Sequence, residues 1–353
     1  MIQKRESMYL NIVKGIAVLL MLWGHAIQIC IMDDSITFEN NVFQFIYSFH
    51  MPLFMLLSGY LFFFSYEKRD LKTLLAHRAQ SMLQPIFFAT ILNNLLILLP
   101  TLILHGQGRL INGALLNGLY TLWFLWCVLS ASTVVAVAGK MTGNPWVRLL
   151  LILAGFFLVA LFPEWDYHVY MYPYFVVGFY YGMYRDKIPG WVKKCAWLSL
   201  VLFPILVSKY ENYHLIYLSP IYYDGADVLT CVKVNVFRWI IGFVGSLFAL
   251  VVIDLVLKLF YREDKIPAPL GMLAKLGENS LAIYCISVSL FTYYLSKVYD
   301  RFVRFLDGSI LIENMTIYNF VFTPALALAA AWGLYIVVLI LKKLKIHRLI
   351  FGR

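Results

Sequence analysis

The chain has 353 residues, of which 62% are hydrophobic and only 14% are charged, and its formal net charge is +10. A water-soluble globular protein of this size does not combine so much apolar sequence with so few charges, so a soluble enzyme or regulator is excluded. The composition instead predicts an integral membrane protein made of helices, because a helix satisfies its own backbone groups within lipid.

Ten apolar runs are long enough to cross a hydrocarbon core of about 30 Å as helices, and the one at 147–162 is the shortest. They are continuous, unlike the alternating segments of a membrane β-barrel. The sequence therefore predicts an all-α polytopic protein with a single membrane-embedded domain over residues 1–353. We place the runs at 10–31, 41–65, 83–104, 119–139, 147–162, 168–184, 191–208, 233–259, 271–296 and 316–341.

Ten spans put both termini on the same side of the membrane, and most basic residues fall in segments on that side too. This bias predicts that both termini are cytoplasmic. Membrane topology and attraction to anionic lipid also account for the net positive charge, so no nucleic-acid partner is predicted. The seven exceptions among the 29 lysines and arginines are Arg109, Lys209, Lys233, Arg238, Lys297, Arg301 and Arg304.

Three ionisable residues inside the first two spans are functional candidates, because such groups are costly in lipid. Lys14 and His25 are eleven residues apart, which places them on one helical face about 16 Å apart along the axis. His50, in the second span, falls at a depth similar to that of His25. A neutral, buried histidine bonded to a carbonyl is the structural alternative for either imidazole, and it stays open here.

Two polar segments outside the spans offer binding chemistry. Lys72 and Arg78 belong to a basic segment before the third span that can bind phosphate, although positive-inside bias alone also produces such a segment. The outer loop 209–232 suits stacking on sugar rings, or an interfacial aromatic belt. Its tyrosines are Tyr210, Tyr213, Tyr217, Tyr222 and Tyr223.

The five cysteines are scattered without metal-ligand or redox spacing, so no metal site is predicted. Cys30 and Cys231 both fall near the outer side. A disulfide between them is therefore one alternative, and five free thiols are the other.

Several motifs resemble the acyltransferase-3 family of membrane O-acyltransferases, in particular its fucose-4-O-acetylase-like branch. "IVKGIAVLLMLWGH" is similar to the family's first-helix signature, and "YSFHMPLFMLLSGYLF" to its Phe-His-Met-Pro…Ser-Gly segment. "HRAQSMLQP", "LWFL", "YPYFVVGFYYG" and "LGENSLAIY" resemble later segments in the same order. Ten spans is also the number that the resemblance implies.

The resemblance implies transfer of an acetyl group from cytoplasmic acyl-CoA to a hydroxyl of a lipid-linked or surface glycan, in a bacterial inner membrane. It implies that His25 is the catalytic histidine and that Arg78 serves the CoA donor. Acetyl-CoA is then a substrate, and no bound cofactor is expected. Three positions depart from the family pattern: Ser81 replaces a second arginine, Asn11 an acidic residue and Ser287 a later histidine.

A neutral histidine that takes the proton of an attacking sugar hydroxyl fits the demands of general-base catalysis. We expect His25 and His50 to be catalytic, with Lys14, Lys72 and Arg78 holding the donor. Candidates for stabilising or orienting the oxyanion are Ser58, Asn279 and Ser280, with His50 as a further donor. The sequence does not identify the acceptor or the oligomeric state. It also leaves open whether the acyl group is acetyl or succinyl and whether transfer is direct or passes through a covalent intermediate.

Two rival functions share some of these features. A transporter or flippase that uses buried histidines as a proton relay also needs many spans and basic inner loops. Such proteins usually show repeated halves, and this chain has no visible internal repeat. A non-catalytic scaffold for glycan assembly is the third alternative. Of the three, the sequence favours the membrane O-acyltransferase.

Overall fold

The protein is helical throughout the part described by a computed structural model, which covers residues 2–31, 34–105, 121–216, 227–260, 267–290 and 314–351. No β-strand occurs in these ranges. The first half contains α1 Ile2–Ile31, α2 Asp34–Glu39, α3 Asn41–Tyr47, α4 His50–Lys68, α5 Leu71–His105, α6 Trp123–Met141, α7 Pro145–Val159 and α8 Trp165–Tyr184. The second half contains α9 Gly190–Cys195, α10 Ser199–Val207, α11 Val228–Phe260, α12 Ala268–Glu278, α13 Ser280–Leu290, α14 Met315–Ile317, α15 Thr323–Lys343 and α16 His347–Phe351. Single 3₁₀ turns lie at Ala196–Leu198 and Asn212–His214, and a π turn lies at Tyr318–Phe322.

Six stretches of the described chain are long and apolar enough to cross a membrane. They confirm a helical membrane protein. Each of them overlaps one of the ten predicted runs. They are Glu6–Gln28, Asn41–Lys68, Trp123–Met141, Gly190–Val207, Val228–Phe260 and Met315–Lys343.

Helices also occupy most of the described residues in the four remaining predicted runs. The helix α5 extends without a break through 83–104, and α8 covers 168–184. The helix α7, at 15 residues, is shorter than the other apolar stretches, as the sequence indicated. The run at 271–296 differs from the prediction, because the helix stops at Glu278 and restarts at Ser280.

The interruption falls at Asn279, whose carbonyl and side chain both form hydrogen bonds at the break. The amide of Ile283 donates to the Asn279 carbonyl at 3.0 Å, and the Asn279 side chain donates back to the Lys275 carbonyl at 2.7 Å. Asparagine competes with the backbone in this way and favours helix ends over helix interiors. Hydropathy does not reveal such a break, because both half-helices are apolar.

The chain forms two compact units, each of which draws on separated parts of the sequence. The first comprises residues 1–37, 79–125 and 272–353, and the second comprises 38–78 and 126–271. In the first unit α1 packs on α13 and α15. In the second, α4 packs on α8, and α11 packs on α4 and α10.

Glycines allow the closest helix contact in the second unit, between α4 and α8. A Cβ added to Gly59 would lie 2.0 Å from the carbonyl oxygen of Phe175, and one added to Gly178 would lie 2.0 Å from that of Leu56. Backbone therefore touches backbone at this crossing, which is the small-residue packing that membrane helices use in place of a hydrophobic driving force.

Candidate active site

His25 lies in the C-terminal half of α1, on the same helical face as Lys14, and it is partly exposed. A hydrogen bond joins its imidazole to the side chain of Gln28, which is three residues further along the helix. Residues three apart are neighbours on a helix surface, so Gln28 is placed to hold the orientation of the ring. The sequence prediction included His25 and Lys14 but missed Gln28.

The opposite face of this turn of α1 is fixed by two polar contacts. The indole Nε1 of Trp23 donates to Thr323 Oγ1 at 3.0 Å, and the hydroxyl of Tyr318 donates to the Ile27 carbonyl at 2.8 Å. Trp23 and Ile27 each lie two residues from His25, about 200° around the helix. The contacts therefore anchor the turn while leaving the imidazole on the other side.

Both anchoring residues belong to the π turn at Tyr318–Phe322 or to its boundary with α15. Thr323 Oγ1 donates to the Tyr318 carbonyl at 3.0 Å, which satisfies a group that the widened turn displaces. Isolated π turns are rare and occur frequently at functional sites. The turn at His25 is thus held by an irregular element that hydropathy did not predict.

His50 begins α4 and is buried. Its Nδ1 lies 2.8 Å from the Ile46 carbonyl, and its ring sits edge-on to Tyr47 with the centroids 4.7 Å apart. A carbonyl only accepts, so Nδ1 must carry the proton and Nε2 must carry the lone pair. The neutral imidazole therefore offers an acceptor at Nε2. It can donate to an oxyanion from Nε2 only when it is charged.

Two of the predicted oxyanion donors use their protons locally. The Ser58 hydroxyl donates to the Phe54 carbonyl of its own helix at 2.8 Å, and the Asn279 amide is bonded to the Lys275 carbonyl. Serine and asparagine commonly satisfy themselves in this way within membrane helices. These contacts favour a structural role for both side chains in the resting protein.

The position of Asn279 also separates it from His25. Two residues before it, Gly277 packs against α1 so closely that an added Cβ would lie 1.7 Å from the Asn11 carbonyl oxygen. Asn11 precedes His25 by fourteen residues, which is a rise of about 21 Å along the helix. Asn279 and the adjoining Ser280 thus lie towards the Lys14 end of α1, and the structure does not bring them to His25.

The two predicted donor residues on α5 differ in environment. Lys72 is exposed, whereas Arg78 is only 8% exposed and its guanidinium carbon lies 4.6 Å from the centroid of the Phe62 ring. A charge that serves topology alone has no reason to leave water, because burial costs solvation energy. Stacking on the Phe62 ring is one contact that offsets this cost. The burial of Arg78 therefore favours a specific role.

The segment before α11 is anchored by a buried arginine. Arg238, which is 1% exposed, donates to the carbonyls of Tyr213, His214 and Leu215 at 2.6–2.8 Å. Burial, reinforced by the charge of Arg238, lowers the pKa of His214 to about 4. Tyr210 is buried against His214, so this tyrosine serves packing and not sugar stacking. Tyr217, Tyr222 and Tyr223 lie outside the described residues.

Four cysteines, including Cys231, are free thiols in the structure. The side chain of Cys30 lies outside the described residues, and the Cys30–Cys231 disulfide is not formed. The other three free thiols are Cys127, Cys195 and Cys285.

A buried serine–histidine pair joins α6 to α8, and the sequence did not predict it. Ser130 Oγ lies 2.6 Å from His168 Nδ1, and the imidazole stacks on Phe162 with the centroids 5.2 Å apart. The residues are 1% and 4% exposed. Serine beside histidine is the arrangement of a nucleophile and its base, but it also serves as a polar link between packed helices. Ser130 and His168 are 38 residues apart on different helices, so no local sequence pattern predicts that they meet.

We expect Ser130→Ala to retain acyl transfer within about threefold of wild type, because direct transfer requires no serine nucleophile. The loss of one buried hydrogen bond should lower the free energy of unfolding by about 1–3 kcal/mol. Initial rates normalised to folded protein, together with thermal unfolding in detergent, measure both effects. His168→Ala is the matched partner variant. Complete loss of transfer by well-folded Ser130→Ala would instead indicate an acyl-serine intermediate.

Residues 8–340 match the family described as "Acyltransferase domain", the acyltransferase-3 family. The chain belongs to this family. Residues 8–340 thus form an acyltransferase domain of this family. The match runs through α1, α4 and α15, so the first-helix histidine and the π turn both lie within the family's domain.

Two curated relatives share part of the sequence. Nodulation protein NolL of Sinorhizobium fredii is 31% identical over 180 residues, which cover 49% of this chain and 48% of that protein. Nodulation protein NolL of Mesorhizobium japonicum is 26% identical over 200 residues, covering 55% and 52%. The chain thus spans about half the length of the curated relatives it matches. No solved structure matches the chain.

Proposed function

We propose that this enzyme transfers an acetyl or similar short acyl group from cytoplasmic acyl-CoA to a hydroxyl of a lipid-linked or surface glycan, with His25 as the general base. The observation that carries the proposal is the placement of His25. It shares a helical face with Lys14, is held by Gln28, and sits in a turn anchored from the other side by Trp23 and Tyr318. Family membership supplies the reaction class.

These positions support a direct transfer reaction. The lone pair of neutral His25 accepts the proton of the sugar hydroxyl while the oxygen attacks the thioester carbonyl. A C–O bond forms and a tetrahedral oxyanion develops. Its collapse breaks the C–S bond, and the protonated imidazole returns the proton to the leaving thiolate, which departs as CoA. Gln28 restricts rotation of the ring, so the base is oriented before the substrates arrive.

We assign His50, which belongs to the second compact unit, to the glycan acceptor. Its Nδ1 donates to the Ile46 carbonyl, so the neutral ring carries its lone pair on Nε2, the atom that would interact with a hydroxyl. In this role His50 orients the glycan, whereas the sequence predicted that it would donate a hydrogen bond to the oxyanion. Arg78 would contact a donor phosphate, which a guanidinium binds in a bidentate manner.

The membrane arrangement that suits this reaction has ten spans, one acyltransferase domain and both termini in the cytoplasm of a bacterial inner membrane. Six apolar stretches and helices in the four other predicted runs support it. The bias of basic residues supports the orientation. Acyl-CoA, which does not cross lipid, would then meet the basic face of the enzyme.

Sealed vesicles of opposite orientation test the proposal. We expect inverted membrane vesicles to transfer label from radiolabelled acetyl-CoA to glycan. We expect right-side-out vesicles to do so only after permeabilisation, because the donor is membrane-impermeant. Vesicles with His25→Gln are the control for background acetylation. Equal transfer by both kinds of sealed vesicle would contradict a cytoplasmic donor site. No transfer by either would contradict the proposed activity and favour a transporter.

A further inference from the structure

A pocket of ≈ 660 Å³ lies where α12, α13, α15 and α16 meet, and every residue that lines it belongs to the first compact unit. Its polar lining is dominated by basic side chains from the end of α15 and the start of α16: Lys342, Lys345, His347 and Arg348. The lining also includes Glu278 and Asn279.

The pocket has a second source of positive potential. Leu281 and Ala282, in the first turn of α13, line it beside Asn279. The first N–H groups of an α-helix lack partners within the helix, and the helix dipole places partial positive charge there. Basic side chains opposite a helix N-terminus are the combination that binds phosphate in proteins.

The backbone at this site places a lysine where glycine is preferred. Between α15 and α16 the amide of Lys345 donates to the Lys342 carbonyl at 3.1 Å, and that of Ile346 donates to the Leu341 carbonyl at 3.0 Å. These bonds form a Schellman motif, and Lys345 occupies its left-handed position with φ of 60°. A β-carbon there is strained. Such strain is often retained at functional sites. Here the strained residue is a lysine whose side chain lines the pocket.

The pocket also lies at a suitable distance from the catalytic histidine. Gly277, next to Glu278, packs on Asn11 of α1, and Asn11 lies about 21 Å below His25 along the helix. An extended pantetheine arm spans roughly 15–20 Å at ordinary covalent bond lengths, and the pyrophosphate adds to that reach. A nucleotide in the pocket can therefore present its thioester near the imidazole.

We infer that this pocket binds the phosphates of the acyl-CoA donor. Lys342, Lys345 and Arg348 neutralise the charge, and the N-terminus of α13 donates backbone hydrogen bonds. This assignment rests on the proposed function, because that function supplies the nucleotide. The same phosphate chemistry occurs in an anionic lipid headgroup, and the experiment separates the two sources. In this assignment Asn279 belongs to the donor site, because it lies at the break between α12 and α13 that exposes the first turn of α13.

The experiment measures equilibrium binding of radiolabelled CoA to the full-length protein in nanodiscs, without turnover. We expect Lys342→Ala and Lys345→Gly each to weaken CoA binding about tenfold, the usual loss for a charge-assisted contact. Lys343→Ala is the matched control, because it removes the same charge from the same helical turn and Lys343 does not line the pocket. It should bind CoA as wild type does.

The variant Lys345→Gly separates function from folding. Glycine relieves the left-handed strain, so its melting temperature should be unchanged or higher while CoA affinity falls. In steady-state assays its KM for acetyl-CoA should rise, whereas its KM for acetyl-pantetheine, which lacks the nucleotide, should not. A lower melting temperature together with weaker binding of both donors would overturn the assignment.

The outcomes distinguish this inference from the proposed function. If wild type transfers acetyl and all three variants bind CoA alike, the pocket assignment fails and the function stands. If wild type binds CoA and only the two pocket variants are weakened, the assignment stands even in a preparation without transfer. Loss of phosphatidylglycerol retention in the pocket variants, with CoA affinity unchanged, would identify the ligand as lipid. Wild type that neither binds CoA nor transfers acetyl contradicts both.

Discussion

His25→Ala is expected to lower acyl transfer by about 10²–10⁴-fold, which is the usual contribution of a general base. The sugar hydroxyl then has no group to remove its proton during attack. Protein level and melting temperature should change little, because the imidazole is partly exposed and its hydrogen bond to Gln28 lies within a single helix. Initial rates with saturating acetyl-CoA, normalised to folded protein, measure the effect.

Two further variants show whether the effect is one of proton transfer. His25→Gln should be as inactive as alanine, because an amide forms hydrogen bonds but does not accept a proton near neutral pH. Gln28→Leu should retain activity at a reduced kcat, since it removes only the hydrogen bond that orients the ring. Near-normal transfer by His25→Ala, with His50→Ala inactive, would exchange the roles of the two histidines. Normal transfer by both would exclude a histidine mechanism.

Gly178→Ala is expected to lower the stability of the second unit strongly. The new methyl group would lie 2.0 Å from the Leu56 carbonyl oxygen, which is backbone and does not rotate away. The helices α4 and α8 must separate, and overpacking of this kind costs about 1–3 kcal/mol or more. We expect a lower melting temperature in detergent and reduced accumulation in the membrane.

Gly333→Ala is the matched control for this packing effect. It makes the same substitution inside an apolar helix, but among the described residues no heavy atom of another part of the chain lies within 4 Å of the added Cβ. Alanine has the higher helix propensity, so this variant should be as stable as wild type or slightly more stable. Equal melting temperatures for Gly178→Ala and Gly333→Ala would contradict the close crossing of α4 and α8.

Hydropathy was sufficient to predict the helical class and the location of the helices, because long apolar runs have few other solutions in lipid. It also placed Lys14 and His25 on one face of a single continuous helix, where local periodicity decides geometry. The break at Asn279 was missed, since a membrane helix is apolar on all sides and its hydropathy carries no register.

Contacts between distant segments were beyond the reach of the sequence. The Ser130–His168 pair, the anchoring of α1 by Tyr318 and the basic pocket each join helices that are far apart in the chain. Their formation depends on crossing angles set by packing, such as the glycine contact of α4 and α8. The sequence also left two roles open for Tyr210, sugar stacking or an interfacial belt, and the structure buries it in a segment that Arg238 holds.

The ester content of the cell's surface and lipid-linked glycans, measured by mass spectrometry, tests the central claim most directly. Cells that lack the gene should lose one class of O-acyl ester, wild type should restore it, and His25→Gln at equal protein level should not. An identical ester profile in all three strains would contradict a glycan O-acyltransferase, and restoration by His25→Gln would contradict the role of His25 as the base.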